Sequence, residues 1–191
     1  MAGLVLASAS PRRVELLGSL GLDFDVVASM ADEDADPLMD PRRMVEELAR
    51  RKASAVAVKH RCSVVLGADT VVCIDGRVLG KPADAEDAAR MLQSLQGREH
   101  VVYTGVCVIK LDEGIEEAAS EATYVRFAPM SGRDIEKYVE SKEPMDKAGA
   151  YAIQGLGSIF ITGITGDYSN VVGLPLRLTG ILLGKAGISI L

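Results

Sequence analysis

Short apolar runs alternate along the chain with longer stretches whose apolar residues recur every three or four positions, a pattern of strands interleaved with helices. Residues 4–7 (LVLA) read as a short buried strand. A helix is expected over 11–20, with Val14, Leu16, Leu17 and Leu20 on its inner face and Ser10 and Pro11 as N-cap and first position. Residues 23–29 (DFDVVAS) alternate well enough for a second strand. Asp40 and Pro41 then open a long helix with Val45, Leu48, Ala49 and Val56 along one side. Residues 63–82 read as two buried runs separated by a Gly-Ala-Asp-Thr interruption, with Asp75-Gly76 turning the chain back through 77–79 as a tight hairpin.

Asp84 should cap a helix carrying Ala88, Met91, Leu92 and Leu95, which Gly97 stops. Two further strands, HVVYTGVCVIKL and EATYVRFAPM, are joined by a polar connection, DEGIEEAAS. Ser131 with Asp134 forms a capping-box pattern for a helix ending near residue 141. The glycine-rich residues 146–175 are expected to hold one or two strands among several turns, and a last helix runs from about 174 to 184. This alternation predicts an α/β fold with a mixed sheet and no internal repeat or linker.

Size, charge and cysteine usage narrow the possibilities. The 191 residues suit one domain over 1–191, undivided or split into two lobes around a cleft. A net charge of −6 disfavours a general grip on nucleic acid. Cys62, Cys73 and Cys107 form no CxxC pair, as expected of reduced core thiols in a cytosolic protein. His60 and His100 have no zinc-type spacing, so a metal site would rest on oxygen ligands and favour Mg²⁺ or Mn²⁺. The N-terminal MAGLVLASAS lacks a basic segment before its apolar run, and no apolar stretch is long enough to span a bilayer. The expectation is a soluble cytoplasmic protein without a membrane partner.

Two placements are costly unless they serve chemistry. Arg12 and Arg13 fall at the second and third positions of the first helix, where each exposed cation opposes the macrodipole by roughly 0.3–1 kcal/mol. A polyanion would reverse that sign, because the same helix end offers backbone N–H groups and the guanidinium forks match phosphate. The plainer reading has both arginines reaching out to water. Asp69 stands between two strongly apolar runs, where an unpaired carboxylate is expensive; as a functional group it would bind Mg²⁺ or take a proton from water. A turn aspartate bonded to its own backbone is the alternative. Neither a P-loop nor GxGxxG is present. By default the acidic stretch MADEDADP is a solvated loop, and Lys52 a solvated helix residue.

The motifs SASPRR, GADTVV, GKP and DKAGAYAIQG occur together and in order. With them the chain resembles, over essentially its whole length, the Maf family of nucleoside triphosphate pyrophosphatases. DKAGAYAIQG is similar to the branch acting on dTTP and UTP; branches for modified guanine nucleotides commonly carry an acidic residue at this glutamine. The resemblance implies a mixed elongated sheet with flanking helices in two lobes around a central cleft, similar to ITP pyrophosphatases. It implies cleavage between the α- and β-phosphates with Mg²⁺ or Mn²⁺, giving a nucleoside monophosphate and pyrophosphate.

By motif match Asp69 would accept the proton, and Arg12, Thr70 and Gln154 would govern substrate choice. Ser8, Ser10, Arg12, Arg13, Lys52 and Lys81 would surround the phosphates, and Glu33 with Asp69 would hold the metal. Asp32 and Asp34 are the alternatives to Glu33 under a small alignment slip. Gln154 suits uracil or thymine because its amide both donates and accepts. Asp146 and Lys147 would pair and brace the loop, without a catalytic part. Two other functions fit the same residues: a pyrophosphatase for modified guanine nucleotides such as 7-methyl-GTP, and a nucleotide-sensing regulator linked to cell division. Family analogy further suggests a homodimer.

Overall fold

The computed structural model describes residues 3–36 and 38–191, so the start of the N-terminal apolar run and the proline closing the acidic stretch lie outside the described residues. In chain order the elements are β1 (Leu4–Leu6), α1 (Pro11–Gly18), β2 (Phe24–Val26), α2 (Pro41–Ala57), β3 (Val64–Ile74), β4 (Arg77–Leu79) and α3 (Ala85–Leu95). They continue as β5 (Glu99–Lys110), β6 (Ile115–Phe127), α4 (Gly132–Glu140), β7 (Ile161–Thr165), α5 (Tyr168–Val172) and α6 (Leu176–Lys185). The strands form one mixed sheet in the order β2-β1-β3-β5-β6-β7, with β4 paired to β3. β1 runs parallel to β2 and β3, whereas β3–β4 and β6–β7 are antiparallel. The α/β class with a mixed sheet and flanking helices is the one expected.

Backbone contacts divide the chain into two compact units. The first comprises Met1–Asp69, Thr104–Glu121 and Gly173–Leu191; the second comprises Thr70–Tyr103 and Ala122–Val172. In the first unit, β1 is buried on both faces, as a central parallel strand must be. Leu4 and Leu6 point to one side, where they meet Leu17 of α1 and Leu182 and Leu183 of α6. Val5 points to the other, with Ala49, Ala53 and Val56 of α2 and Cys107 of β5.

α2 lies unusually close to the sheet. A Cβ built on Gly67 of β3 would stand 2.4 Å from the Ala49 carbonyl oxygen and 2.7 Å from the Ala53 amide nitrogen. One on Gly105 of β5 would stand 2.2 Å from the Val45 carbonyl oxygen. Both glycines are therefore required by backbone-to-backbone contact. Asp40 starts this helix by accepting from the amides of Arg42 and Arg43, as its N-cap position predicts.

The second unit is built around Val72, Ile74, Leu92, Leu95, Phe127, Ile135 and Tyr138. Within it, His100, Phe127 and Tyr151 meet edge-on, and His100 Nε2 lies 2.7 Å from the Tyr151 hydroxyl. Burial lowers the His100 pKa to about 4, so the ring is neutral at physiological pH. The Asp75-Gly76 turn has positive φ at both residues, as a two-residue hairpin with the favoured twist requires.

Three expectations are corrected. The Gly-Ala-Asp-Thr interruption does not exist: β3 runs unbroken from Val64 to Ile74. The polar connection is mostly strand, since β6 begins at Ile115 after a short turn ending at Gly114. Its polar residues have partners: Glu116 binds Arg50, Glu117 binds Lys185 and Ser120 donates to Glu46. The thiols are not all core: Cys107 is buried, Cys73 half-buried and Cys62 exposed, and none of the three forms a disulfide. Burial pushes the Cys107 thiol up to about 12, which keeps it protonated.

Gly67→Ala is expected to destabilise the protein by about 2–3 kcal/mol in urea unfolding, because backbone rather than a flexible side chain must yield. Gly18→Ala, where nothing lies within 4 Å of the added carbon, serves as the control and should be neutral or stabilising. The buried His100 sets a pH dependence. Above its unfolded value of 6.5 it is neutral in both states; below that, the unfolded chain takes up a proton that the folded chain refuses. Stability should therefore fall as pH drops from about 6.5 to about 4, by roughly 3 kcal/mol, and His100→Gln should flatten that slope in a pH series of urea melts.

Candidate active site

The first-unit residues singled out in the sequence gather at the end of β1, the start of α1, the middle of α2 and the loop before it. Ser8 is buried directly after β1, and its Oγ accepts from the Ser10 amide at 3.1 Å. Ser10 occupies the N-cap position of α1 with extended backbone, but its side chain makes no capping hydrogen bond. Thus the expected cap is present in position and absent in chemistry. At the next positions the helix carries Pro11, Arg12 and Arg13, with no acidic residue in its first turn.

Arg13 is half-buried, and its Nε donates to the Gly173 carbonyl at 2.8 Å, tying α1 to the segment that leads into α6. Burial holds its pKa below the ordinary guanidinium value; the carboxylates of Asp69 and Glu33 oppose that shift, and Arg12 adds to it. The base of the first helix is therefore in electrostatic contact with both carboxylates. Arg13 does not simply reach out to water.

Asp69 ends the first unit's stretch of β3, two residues after Gly67 and so on the same strand face, toward α2. There its Oδ1 accepts from Lys52 Nζ at 2.6 Å, and the same ammonium lies 2.7 Å from Glu33 Oε1. The side chains of Lys52 and Asp69 are only 11% and 14% exposed, whereas Glu33 is 60% exposed. Lys52 is thus no solvated helix residue. This ion pair also explains the unbroken strand: the carboxylate is neutralised in place, so the chain need not turn outward to hydrate it.

The acidic loop is arranged so that Glu33 is the carboxylate bonded to Lys52. Asp32 Oδ1 accepts from the Asp34 amide at 2.9 Å, and the Asp34 carbonyl accepts from Arg51 of α2 at 2.7 Å. Arg51 is itself held by Glu47. Asp32 and Asp34 shape the loop, and Glu33 reaches in.

In the second unit, Thr70 follows Asp69 in β3 and is half-buried. Lys81 is exposed just past β4, beside Gly80, whose carbonyl accepts from the Gly149 amide at 3.0 Å. That bond joins the GKP stretch to the glycine-rich DKAGAYAIQG stretch. Lys147 Nζ bonds Asp146 Oδ1 at 2.5 Å and the Glu143 carbonyl at 2.6 Å, so the expected pair forms. Gln154 is half-buried at the head of a 3₁₀ turn spanning Gly155–Phe160. Glu143 and Tyr138 were not singled out in the sequence, yet they bond the backbone on either side of Gln154. A surface-type Glu in a polar loop carries no sequence signal for that.

The Asp69–Glu33 pair suits a hard divalent cation. Two carboxylates already converge on one positive charge, and Mg²⁺ commonly takes one or two protein carboxylates, filling its other positions with water and phosphate oxygens. Among the described residues no group of three or more His, Cys, Asp or Glu side chains forms a closed metal cage. An open site completed by substrate is the one these residues fit.

The fold places the chain among known α/β architectures. It is similar to the Ham1 protein of Staphylococcus aureus, with a TM-score of 0.51 at 15% identity over 83% of this chain and 79% of that one. Residues 3–186 match the family model described as Maf-like protein, and the chain belongs to the Maf family. It is 53% identical over 187 residues to the dTTP/UTP pyrophosphatase of Symbiobacterium thermophilum, covering 98% of this chain and 95% of that one. It is 50% identical to the dTTP/UTP pyrophosphatase of Pelotomaculum thermopropionicum over the full length of both.

Lys52→Met removes the charge that Asp69 Oδ1 bonds while preserving the aliphatic stem. Because both partners are largely buried, the variant should lose about 2–3 kcal/mol in urea unfolding, more than an exposed pair would yield. A loss under about 0.5 kcal/mol would mean that the pair is worth no more than a surface contact.

Proposed function

We propose that this protein hydrolyses dTTP and UTP between the α- and β-phosphates, releasing the monophosphate and pyrophosphate, in the cytoplasm and with Mg²⁺ or Mn²⁺. The observation that carries the reading is the Glu33–Lys52–Asp69 cluster, electrostatically linked to Arg13, in a chain about half identical to enzymes named for this activity. The net charge of −6 further supports a small-molecule substrate over nucleic acid.

The chemistry follows from the groups. A water oxygen bonds to phosphorus, the bridging P–O bond breaks, pyrophosphate departs with the bond's electrons, and the water proton passes to Asp69. Asp69 Oδ1 is engaged by Lys52, which leaves Oδ2 as the oxygen that takes the proton. Lys52 orients the carboxylate through its bond to Oδ1. Arg12, Arg13, Lys52 and Lys81 offset a triphosphate tail of about four negative charges, and the small residues Ser8 and Ser10 let it approach the start of α1. Glu33 and Asp69 would hold the divalent ion, which when bound withdraws charge from the phosphate oxygens. Arg12, Thr70 and Gln154 set substrate choice; the Gln154 amide can accept from N3–H and donate to a neighbouring carbonyl of uracil or thymine.

Pyrophosphate release across dTTP, UTP, dCTP and 7-methyl-GTP, with either metal, tests the assignment. Turnover of dTTP and UTP is expected; turnover of 7-methyl-GTP without dTTP would overturn the choice of branch. Asp69→Asn should reduce kcat by at least about a thousandfold while retaining fold and nucleotide binding. Binding of dTTP by the wild type with no cleavage would favour a nucleotide sensor instead.

A further inference from the structure

We propose that Glu143, acting with Tyr138, is a positioning residue that sets the reach of Gln154 and thereby the selectivity of the enzyme for uracil and thymine. The proposal rests on the pyrophosphatase reading above and deepens its specificity step.

The segment carrying Gln154 is fastened on both sides by two side chains. On the N-terminal side, the Ala152 amide donates to the Tyr138 hydroxyl at 3.1 Å. On the C-terminal side, the Leu156 amide donates to Glu143 Oε2 at 2.9 Å and the Gly157 amide to Glu143 Oε1 at 2.9 Å. The Tyr138 hydroxyl in turn donates to Glu143 Oε1 at 2.9 Å, so the two clamps are one unit. Lys147 holds the Glu143 carbonyl, fixing the backbone from which the carboxylate extends.

The glycines on this stretch are the space the clamp needs. Gly155 has φ of +74°, and a Cβ there would stand 2.5 Å from Glu143 Oε2. A Cβ on Gly157 would stand 2.4 Å from the Tyr138 hydroxyl. Burial raises the Glu143 pKa, but the amides of Gly157 and Leu156 and the Tyr138 hydroxyl outweigh it and hold the carboxyl below its usual value. The clamp is an anion accepting from three donors, the strong form of such bonds.

Selectivity needs this clamp because a glutamine amide does not discriminate by composition alone. Turned over, its donor and acceptor exchange places and match cytosine as readily as uracil. Only a fixed origin for the side chain, limiting which rotamers reach the base, converts Gln154 into a reader of one edge. The Glu33–Lys52–Asp69 cluster belongs to the first unit and Glu143 to the second.

Glu143→Gln keeps the size of the side chain and replaces one acceptor oxygen with a donor. Steady-state kinetics should show KM for dTTP and UTP rising at least about tenfold with kcat within about threefold of wild type, and the preference for dTTP over dCTP falling by a similar factor. An unchanged dTTP-to-dCTP ratio, or an equal fall in kcat/KM for both, would overturn the proposal. Should Glu143→Gln fail to unfold cooperatively, Tyr138→Phe decides, since it keeps the ring packed edge-on against Phe160 and removes only the hydroxyl. A lowered ratio in that variant supports the clamp, and an unchanged one refutes it. Wild-type protein that splits no nucleotide would sink the pyrophosphatase reading and this proposal with it; an active wild type with an indifferent Glu143→Gln sinks this proposal alone.

Discussion

Helix α2 rests on the sheet at backbone distance because positions 67 and 105 have no side chain. That contact fixes the height of Lys52 above β3, and from there its ammonium meets Asp69. A bulkier residue at either glycine would lift the helix and stretch a bond between two side chains that water barely reaches. Packing and electrostatics are coupled at this point: the fit of the first unit on one sheet face and the pairing of Asp69 with Lys52 depend on the same two absent β-carbons. Ala49 and Ala53 on the facing side of α2 keep the approach flat.

Charge is balanced around that contact in a way that favours an incoming polyanion. Arg12, Arg13 and Lys52 outnumber Asp69 and Glu33 by one, and the N-terminal end of α1 adds its own partial positive charge. Lys52 satisfies the carboxylates before any substrate arrives, which removes the cost of an isolated buried anion. Arg13, desolvated and tied to the Gly173 carbonyl, is held in one geometry rather than left to search for it. Fixed cations of this kind stabilise developing phosphate charge without having to reorganise as the bond breaks.

Elements governed by neighbours in sequence were legible beforehand: the Asp40 cap, the Asp75-Gly76 hairpin and the Ser131–Asp134 capping box all follow local rules. Elements governed by distant partners were not. The charged opening of β6 reads as a loop until Arg50 and Lys185 are known to face it. α5 is five residues long and has no period to detect; the Asn170 amide pins it to the Val102 carbonyl and Thr123. At the site, the cost of placing Asp69 and the two arginines where they are was visible, and the motif resemblance assigned their company. Glu143 was invisible because its partners are backbone amides, which every sequence contains.

Cys107 lies in the cluster beneath α2, protonated and sealed from solvent. Thiolate is the form that attacks peroxides, so this sulfur is spared the oxidation ladder while the fold is intact. A sulfinic group there would wedge the helix off the strands from below. Packing that brings lysine to aspartate thus also shields, from reactive oxygen, the spot at which damage would part them.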